Sequence, residues 1–155
     1  MSNEKAVLPG MGFAARLDED DRAQLSNFGE FIDLNEGDVL IQGGKEQDAL
    51  FLIIFGTFHV QGDSSGRVVL LGNLKSGDGV GEVNIFDPGK ASASVISKSI
   101  SQVWKIDKPQ LEQYLESHPK AATRLLATIA TQLSKRLRKA NDKVAMAREA
   151  VMDAF

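Results

Sequence analysis

Between residues 30 and 106 the chain breaks into short β-favouring runs separated by turn-forming residues, and this punctuation limits the available folds more than any other feature. The runs fall at 31–34, 39–42, 50–55, 57–61, 68–74, 93–97 and 102–106. Glu36-Gly37-Asp38 and Gly62-Asp63-Ser64-Ser65-Gly66 read as turns on side-chain chemistry alone. Gly56 interrupts a run that is otherwise nearly all apolar, which marks a bend or tight turn between two strands. Turn signals at roughly eight- to twelve-residue intervals are the pattern of an antiparallel sandwich or barrel.

From residue 107 the period becomes helical. Asp107 can cap a helix, with Gln110 at capping-box spacing and Pro109 tolerated in the first turn. A second helix begins at Ser117, with Pro119 near its start, and runs to about residue 152. Leu126, Ala130, Leu133, Leu137, Ala140, Val144, Ala147, Val151 and Ala154 alternate steps of four and three. That heptad seam cannot be covered by the helix that carries it, and a parallel partner helix would cover it. At the other end, residues 17–28 carry Asp18, Glu19, Asp20 and Asp21 early, which suits the first turn of a short helix. Residues 1–12, with Pro9, Gly10 and Gly12, read as a flexible arm.

The densest local signal is Gly77-Asp78-Gly79-Val80-Gly81-Glu82, followed by Val83-Asn84-Ile85-Phe86. Glycines there allow positive φ and close approach of a ligand to the main chain. A short helix after them would aim unpaired N–H groups at an anion in the loop. A plain surface turn accounts for the glycines equally well, so the neighbouring residues must decide.

This stretch resembles the phosphate-binding cassette of cyclic-nucleotide-binding domains, the family of bacterial cAMP receptor proteins, protein kinase A regulatory subunits and cyclic-nucleotide-gated channels. The family pattern runs roughly G-D-x-F-G-E, a short helix, then P-R-x-A-T-V. Its counterparts here are Gly77 to Glu82, Pro88, and Ala93-Ser94-Val95. Leu17-Asp18 with Asp21-Arg22, Glu36-Gly37-Asp38-Val39-Leu40, the run 43–54 and Arg136-Leu137-Arg138 also fall in family order, so the resemblance spans about residues 13–142. It implies a mainly β fold with flanking α-helices: an antiparallel jelly-roll (cupin-like) barrel over 13–117, a short N-terminal helix, and a long C-terminal helix over 118–155 serving as a homodimer axis.

The resemblance also implies a non-catalytic sensor that binds a cyclic nucleotide, cAMP or cGMP, without a cofactor, and passes occupancy to its long helix. Glu82 would accept a hydrogen bond from the ribose 2′-OH. Gly81, Val83 and Asn84 would offer N–H groups to the phosphate, with Ser92 and Ser94 supplying hydroxyls. Asn141 stands where the family contacts the base, or is a solvated helix position. The departure is at Ala91, where the family has an arginine that pairs with the phosphate. Lys90 is adjacent, but a one-residue shift on a strand points it to the other face unless Pro88-Gly89 bends the chain. Losing a charge-assisted pair costs roughly 2–4 kcal/mol, which puts tight cAMP binding in doubt.

Other classes have little to stand on. Without cysteine the chain has no disulfide or thiolate chemistry. Its two histidines, His59 and His118, lack the companion ligands of a metal-dependent cupin enzyme. The net charge of −3 gives no general attraction to nucleic acid, and the basic run 135–139 reads as the solvated flank of a coiled coil. No apolar run approaches the ~18 residues of a membrane span, and no signal-peptide core follows Met1, which points to the cytoplasm. A transcription factor of the cAMP receptor class would need a helix-turn-helix beyond residue 155. The expectation is therefore a stand-alone regulator or the N-terminal piece of a longer protein with a separate output partner. The rival is a degenerate domain that no longer binds nucleotide and serves dimerisation or docking.

Overall fold

In a computed structural model, which describes residues 5–154, the punctuated region forms two antiparallel sheets. The elements in order are α1 (Glu19–Ser26), β1 (Glu30–Leu34), β2 (Val39–Ile41), β3 (Glu46–Gln47), β4 (Ala49–Phe55), β5 (Phe58–Ser64), β6 (Arg67–Leu74), β7 (Gly79–Val80), α2 (Glu82–Phe86), β8 (Gly89–Lys90), β9 (Ser94–Ser97), β10 (Ser101–Asp107), α3 (Lys108–Ser117) and α4 (Pro119–Asp153). One sheet has the order β1-β10-β4-β7, the other β2-β9-β5-β6, and β3 and β8 form a two-stranded ribbon at the rim. This is the antiparallel jelly-roll barrel with a short N-terminal and a long C-terminal helix that the sequence implies.

Gly56 shows how local chemistry sets the connections. Its φ is +104°, and a Cβ there would lie 2.1 Å from Ser101 Oγ, so only glycine makes the tight turn from β4 to β5. At the other boundary the Asp107 carboxylate accepts from the Gln110 N–H, and the Gln110 side chain accepts from the Asp107 N–H. This reciprocal cap ends β10 and starts α3 in one step.

Two apolar clusters result. Inside the barrel, Leu34, Ile41, Phe51, Ile53, Phe58, Val95 and Val103 face one another. Between barrel and helices, Leu50, Leu52, Trp104 and Ile106 meet Leu25, Leu111, Tyr114, Leu125 and Ile129. Here β4 and β10 are buried on both faces, so each strand serves both clusters. The segment read as a flexible arm is pinned to this second cluster at Leu8, while residues 5–7 are exposed and the first four lie outside those described. Leu8 is buried, its N–H donates to Ser26 Oγ at 2.9 Å, and Arg22 Nε donates to the Leu8 carbonyl at 3.0 Å.

Helix α4 divides into two halves. Ala121, Ala122, Leu125, Thr128 and Ile129 are buried against the core, whereas Leu137, Val144 and Val151 of the seam stand exposed. Among the described residues, no helix is long and apolar enough to cross a membrane.

One group in the helical cluster is poorly served. Tyr114 is fully buried, edge-on to Phe28 and stacked on His118 at a centroid distance of 5.3 Å, and among the described residues its hydroxyl has no hydrogen-bond partner. Burial, reinforced by the Asp21 carboxylate, pushes its pKa up to about 12. The unfolded chain releases this proton near pH 10 and the folded chain keeps it to about 12. The native state therefore holds more protons in that window, and its stability falls as pH rises through it. Tyr114→Phe is expected to flatten that slope and to raise stability at neutral pH by about 1 kcal/mol, since it removes an unpaired buried hydroxyl. Urea melts at pH 7 and across pH 9.5–11.5 check both; a loss above ~1 kcal/mol at pH 7 would show that the hydroxyl has a partner in solution.

Candidate functional site

The glycine-rich loop is built as a ledge between β4 and α2. Gly77 N–H donates to the Ile53 carbonyl, and Ile53 N–H donates to the Asp78 carbonyl, at 2.8 and 2.9 Å. The Asp78 carboxylate closes the turn by accepting from the Lys75 N–H. Strand β7 then pairs with β4, Gly79 opposite Leu52 and Val80 opposite Phe51. At Gly81 the chain turns with φ +93°, and a Cβ would come within 2.1 Å of the Ala49 carbonyl oxygen. Only glycine permits this approach, and it fixes where α2 begins. Ile85 anchors α2 in the core, leaving Val83 exposed beside the loop.

Glu82 is consequently buried, with 5 % of its surface exposed. A buried carboxylate needs a partner, and it comes from the long helix. Arg136 Nη1 donates to Glu82 Oε1 at 3.0 Å, and Arg136 Nη2 donates to the Gly79 carbonyl at 3.1 Å. The Arg136 side chain as a whole remains half exposed. Among the described residues Glu82 Oε2 accepts no hydrogen bond, which leaves one carboxylate oxygen open to a hydroxyl donor.

Beside Glu82 lies a cavity of about 190 Å³. Gly81, Glu82, Val83, Asn84 and Ser92 line it, so five of the eight residues expected from sequence are brought together. Its remaining walls are apolar: Ile41, Val60, Val80, Ala91, Ala93 and Val95. The N–H groups of the first turn of α2 have no partner within the helix.

The other three expected residues stand elsewhere. Ser94 Oγ accepts from the Gly43 N–H at 2.9 Å, and Ser94 lines an adjoining depression with Gln42, Gly43, Gln61 and Asp63 that shares Ser92 and Ala93 with this cavity. Strand alternation explains this, because Val95 takes the inward direction on β9 and Ser94 the outward one. Lys90 is exposed on β8, opposite Glu46 in the β3–β8 ribbon, and does not line the cavity. Asn141 is exposed on the projecting half of α4. Ala91 is buried among the barrel's apolar residues, and its N–H and carbonyl are both taken, by the Lys45 carbonyl and the Gly44 N–H.

Sequence reasoning missed Arg136 as a member of the site. It falls within the basic run read as a solvated flank, and that reading is corrected for this one residue. No spacing rule joins Glu82 to a side chain 54 positions later. The two histidines sit apart, His59 on β5 in a shallow depression with Thr57, Asn73 and Asp78, and His118 at the α3–α4 junction. Among the described residues no three His, Asp or Glu side chains gather as metal ligands.

A family model described as "Cyclic nucleotide-binding domain" matches residues 31–118. The cAMP-activated global transcriptional regulator CRP of Escherichia coli is 31 % identical over 107 residues, 68 % of this chain and 49 % of that protein. The chain thus spans about half the length of the curated CRP-type relatives it matches. Among solved structures, the N-terminal domain of a transcriptional regulator from Streptomyces coelicolor has a TM-score of 0.71 and 29 % identity, over 83 % of this chain and 89 % of that one. The catabolite activator protein of Thermus thermophilus superposes with a TM-score of 0.77 over 86 % of this chain and 62 % of that one. At 18 % identity that second likeness is one of fold.

Proposed function

This chain belongs to the cyclic nucleotide-binding domain family, and from that premise we propose that it is a non-catalytic sensor module in which occupancy of the cup beside Glu82 is read out by α4. The observation that carries the reading is the Arg136–Glu82 pair. The carboxylate suited to a ribose hydroxyl is already held by the helix that would transmit the signal, so a ligand that engages Glu82 alters the contact tethering α4. Coupling of this kind requires only that the ligand bind more tightly with one placement of α4 than with the other.

The test combines titration with a readout on the helix. Cyclic nucleotide at saturating concentration is expected to raise the melting temperature, as any ligand selective for the native state must. It is also expected to change amide exchange around Arg136, and Arg136→Ala is expected to leave binding detectable while abolishing that change. Binding with no response anywhere on α4 would remove the coupling and leave a bare ligand trap.

The second reading is a module for dimerisation or docking with no ligand, favoured by Ala91 and by the fact that Arg136 already partners Glu82. Both readings use the seam of Leu137, Val144 and Val151, for which a parallel copy of the same helix is the proposed cover. We expect the wild-type protein to sediment as a dimer and Val144→Glu to sediment as a monomer with its barrel intact by circular dichroism. A monomeric wild type at ~100 μM would remove the dimer from both readings. An output domain or a separate output protein, and the cAMP-activated transcriptional role of the relatives, belong to the same proposal.

A further inference from the structure

Among the described residues, no lysine, arginine or histidine lines the cavity. The cation nearest in function, Arg136, is held by Glu82 and by the Gly79 carbonyl. Ala91 contributes a methyl group to the apolar interior, and its N–H is committed to the Lys45 carbonyl. Lys90 extends the exposed ribbon. A ligand phosphate in the cup would exchange its hydration for the first-turn N–H groups of α2 alone, with no cation, and would lie near a carboxylate of the same sign.

A sugar meets the opposite situation. Glu82 has an oxygen free to accept from a hydroxyl, and Ser92, Val80 and Val95 line the same space. A ribose without the cyclic phosphate also presents a free 3′-hydroxyl beside the 2′-hydroxyl, one more donor toward the carboxylate.

Resting on the reading that this cup is the ligand site, we infer that it selects an uncharged ribonucleoside over the corresponding cyclic phosphate. The test is calorimetric titration of the wild-type chain with adenosine, guanosine, cAMP, cGMP and 2′-deoxyadenosine, with thermal shift in parallel. At least one ribonucleoside should bind at least about tenfold more tightly than its own cyclic phosphate. 2′-Deoxyadenosine should bind at least about tenfold more weakly than adenosine. Ala91→Arg, if it folds, should move the ratio at least about thirtyfold toward the cyclic phosphate; the wild-type comparison stands without it. A cyclic phosphate that binds as tightly as its nucleoside, or more tightly, overturns the inference and leaves the sensor reading in place. No binding of any of the five at millimolar concentration overturns both.

Discussion

Replacing Trp104 with alanine is expected to lower the melting temperature by roughly 10 °C. Trp104 lies at the centre of β10, opposite Phe31 of β1 and Leu52 of β4, with none of its surface exposed. Its ring packs on Phe13 at a centroid distance of 6.4 Å, and its Nε1 donates to the Ser26 carbonyl at 3.4 Å. At Gly29 the backbone passes so near that a Cβ would fall 2.6 Å from the indole. The ring therefore joins the N-terminal segment, the end of α1 and the sheet, and these parts cannot all close on the gap it would leave. Phe or Trp to Ala in such a place costs about 3–5 kcal/mol, and a domain of this size loses roughly 2–4 °C per kcal/mol. A shift under ~4 °C, by calorimetry or circular dichroism, would show that the N-terminal segment is not held through this ring.

Glu82→Ala is expected to have the largest effect on binding and little effect on folding. Among the described residues the carboxylate is the one charged group lining the cup, and losing a charge-assisted bond to a ligand hydroxyl costs about 1.5–3 kcal/mol, an affinity loss of about ten- to 150-fold. The fold should tolerate the change, because it removes a buried charge and leaves a half-exposed arginine side chain that water can solvate. Arg136→Ala is the harsher member of the pair, since it strands Glu82 without its partner. Titration and melting curves for both variants check this; unchanged affinity in Glu82→Ala for a ligand that the wild type binds would place that ligand outside the cup.

What could be read from sequence divides by range. The seven runs between turns reappear as β1, β2, β4, β5, β6, β9 and β10 within one to three residues at each end, because alternation and turn chemistry are local signals. The two-residue strands β3, β7 and β8 were not visible. They contain Gly79 and Gly89, carry no period, and exist because a partner strand passes beside them. Asp107 and Gln110 announced their cap at a spacing of three. Leu8 gives no sign of burial, since a short apolar run ahead of Pro9 and Gly10 has no pattern and its anchors lie on α1. In the cup, the ledge from Gly81 to Asn84 was legible through its glycines. Ser94 was assigned through resemblance although alternation from Val95 points it away, and Arg136 belongs to the site only because α4 passes over Gly79.

The contact between Arg136 and Glu82 also sits at an instructive place along α4. Upstream, the helix is cemented into the core by Leu125 and Ile129; downstream, it runs free of the barrel to Asp153. The distance from Arg136 to Asp153 is roughly 25 Å at ~1.5 Å per residue. Pivoting about that guanidinium by some 10° would sweep the far tip through about 4 Å, close to one helical turn. On the coupling proposed above, a small shift at Glu82 would be geared up into a displacement of the helix tip comparable to one helical turn.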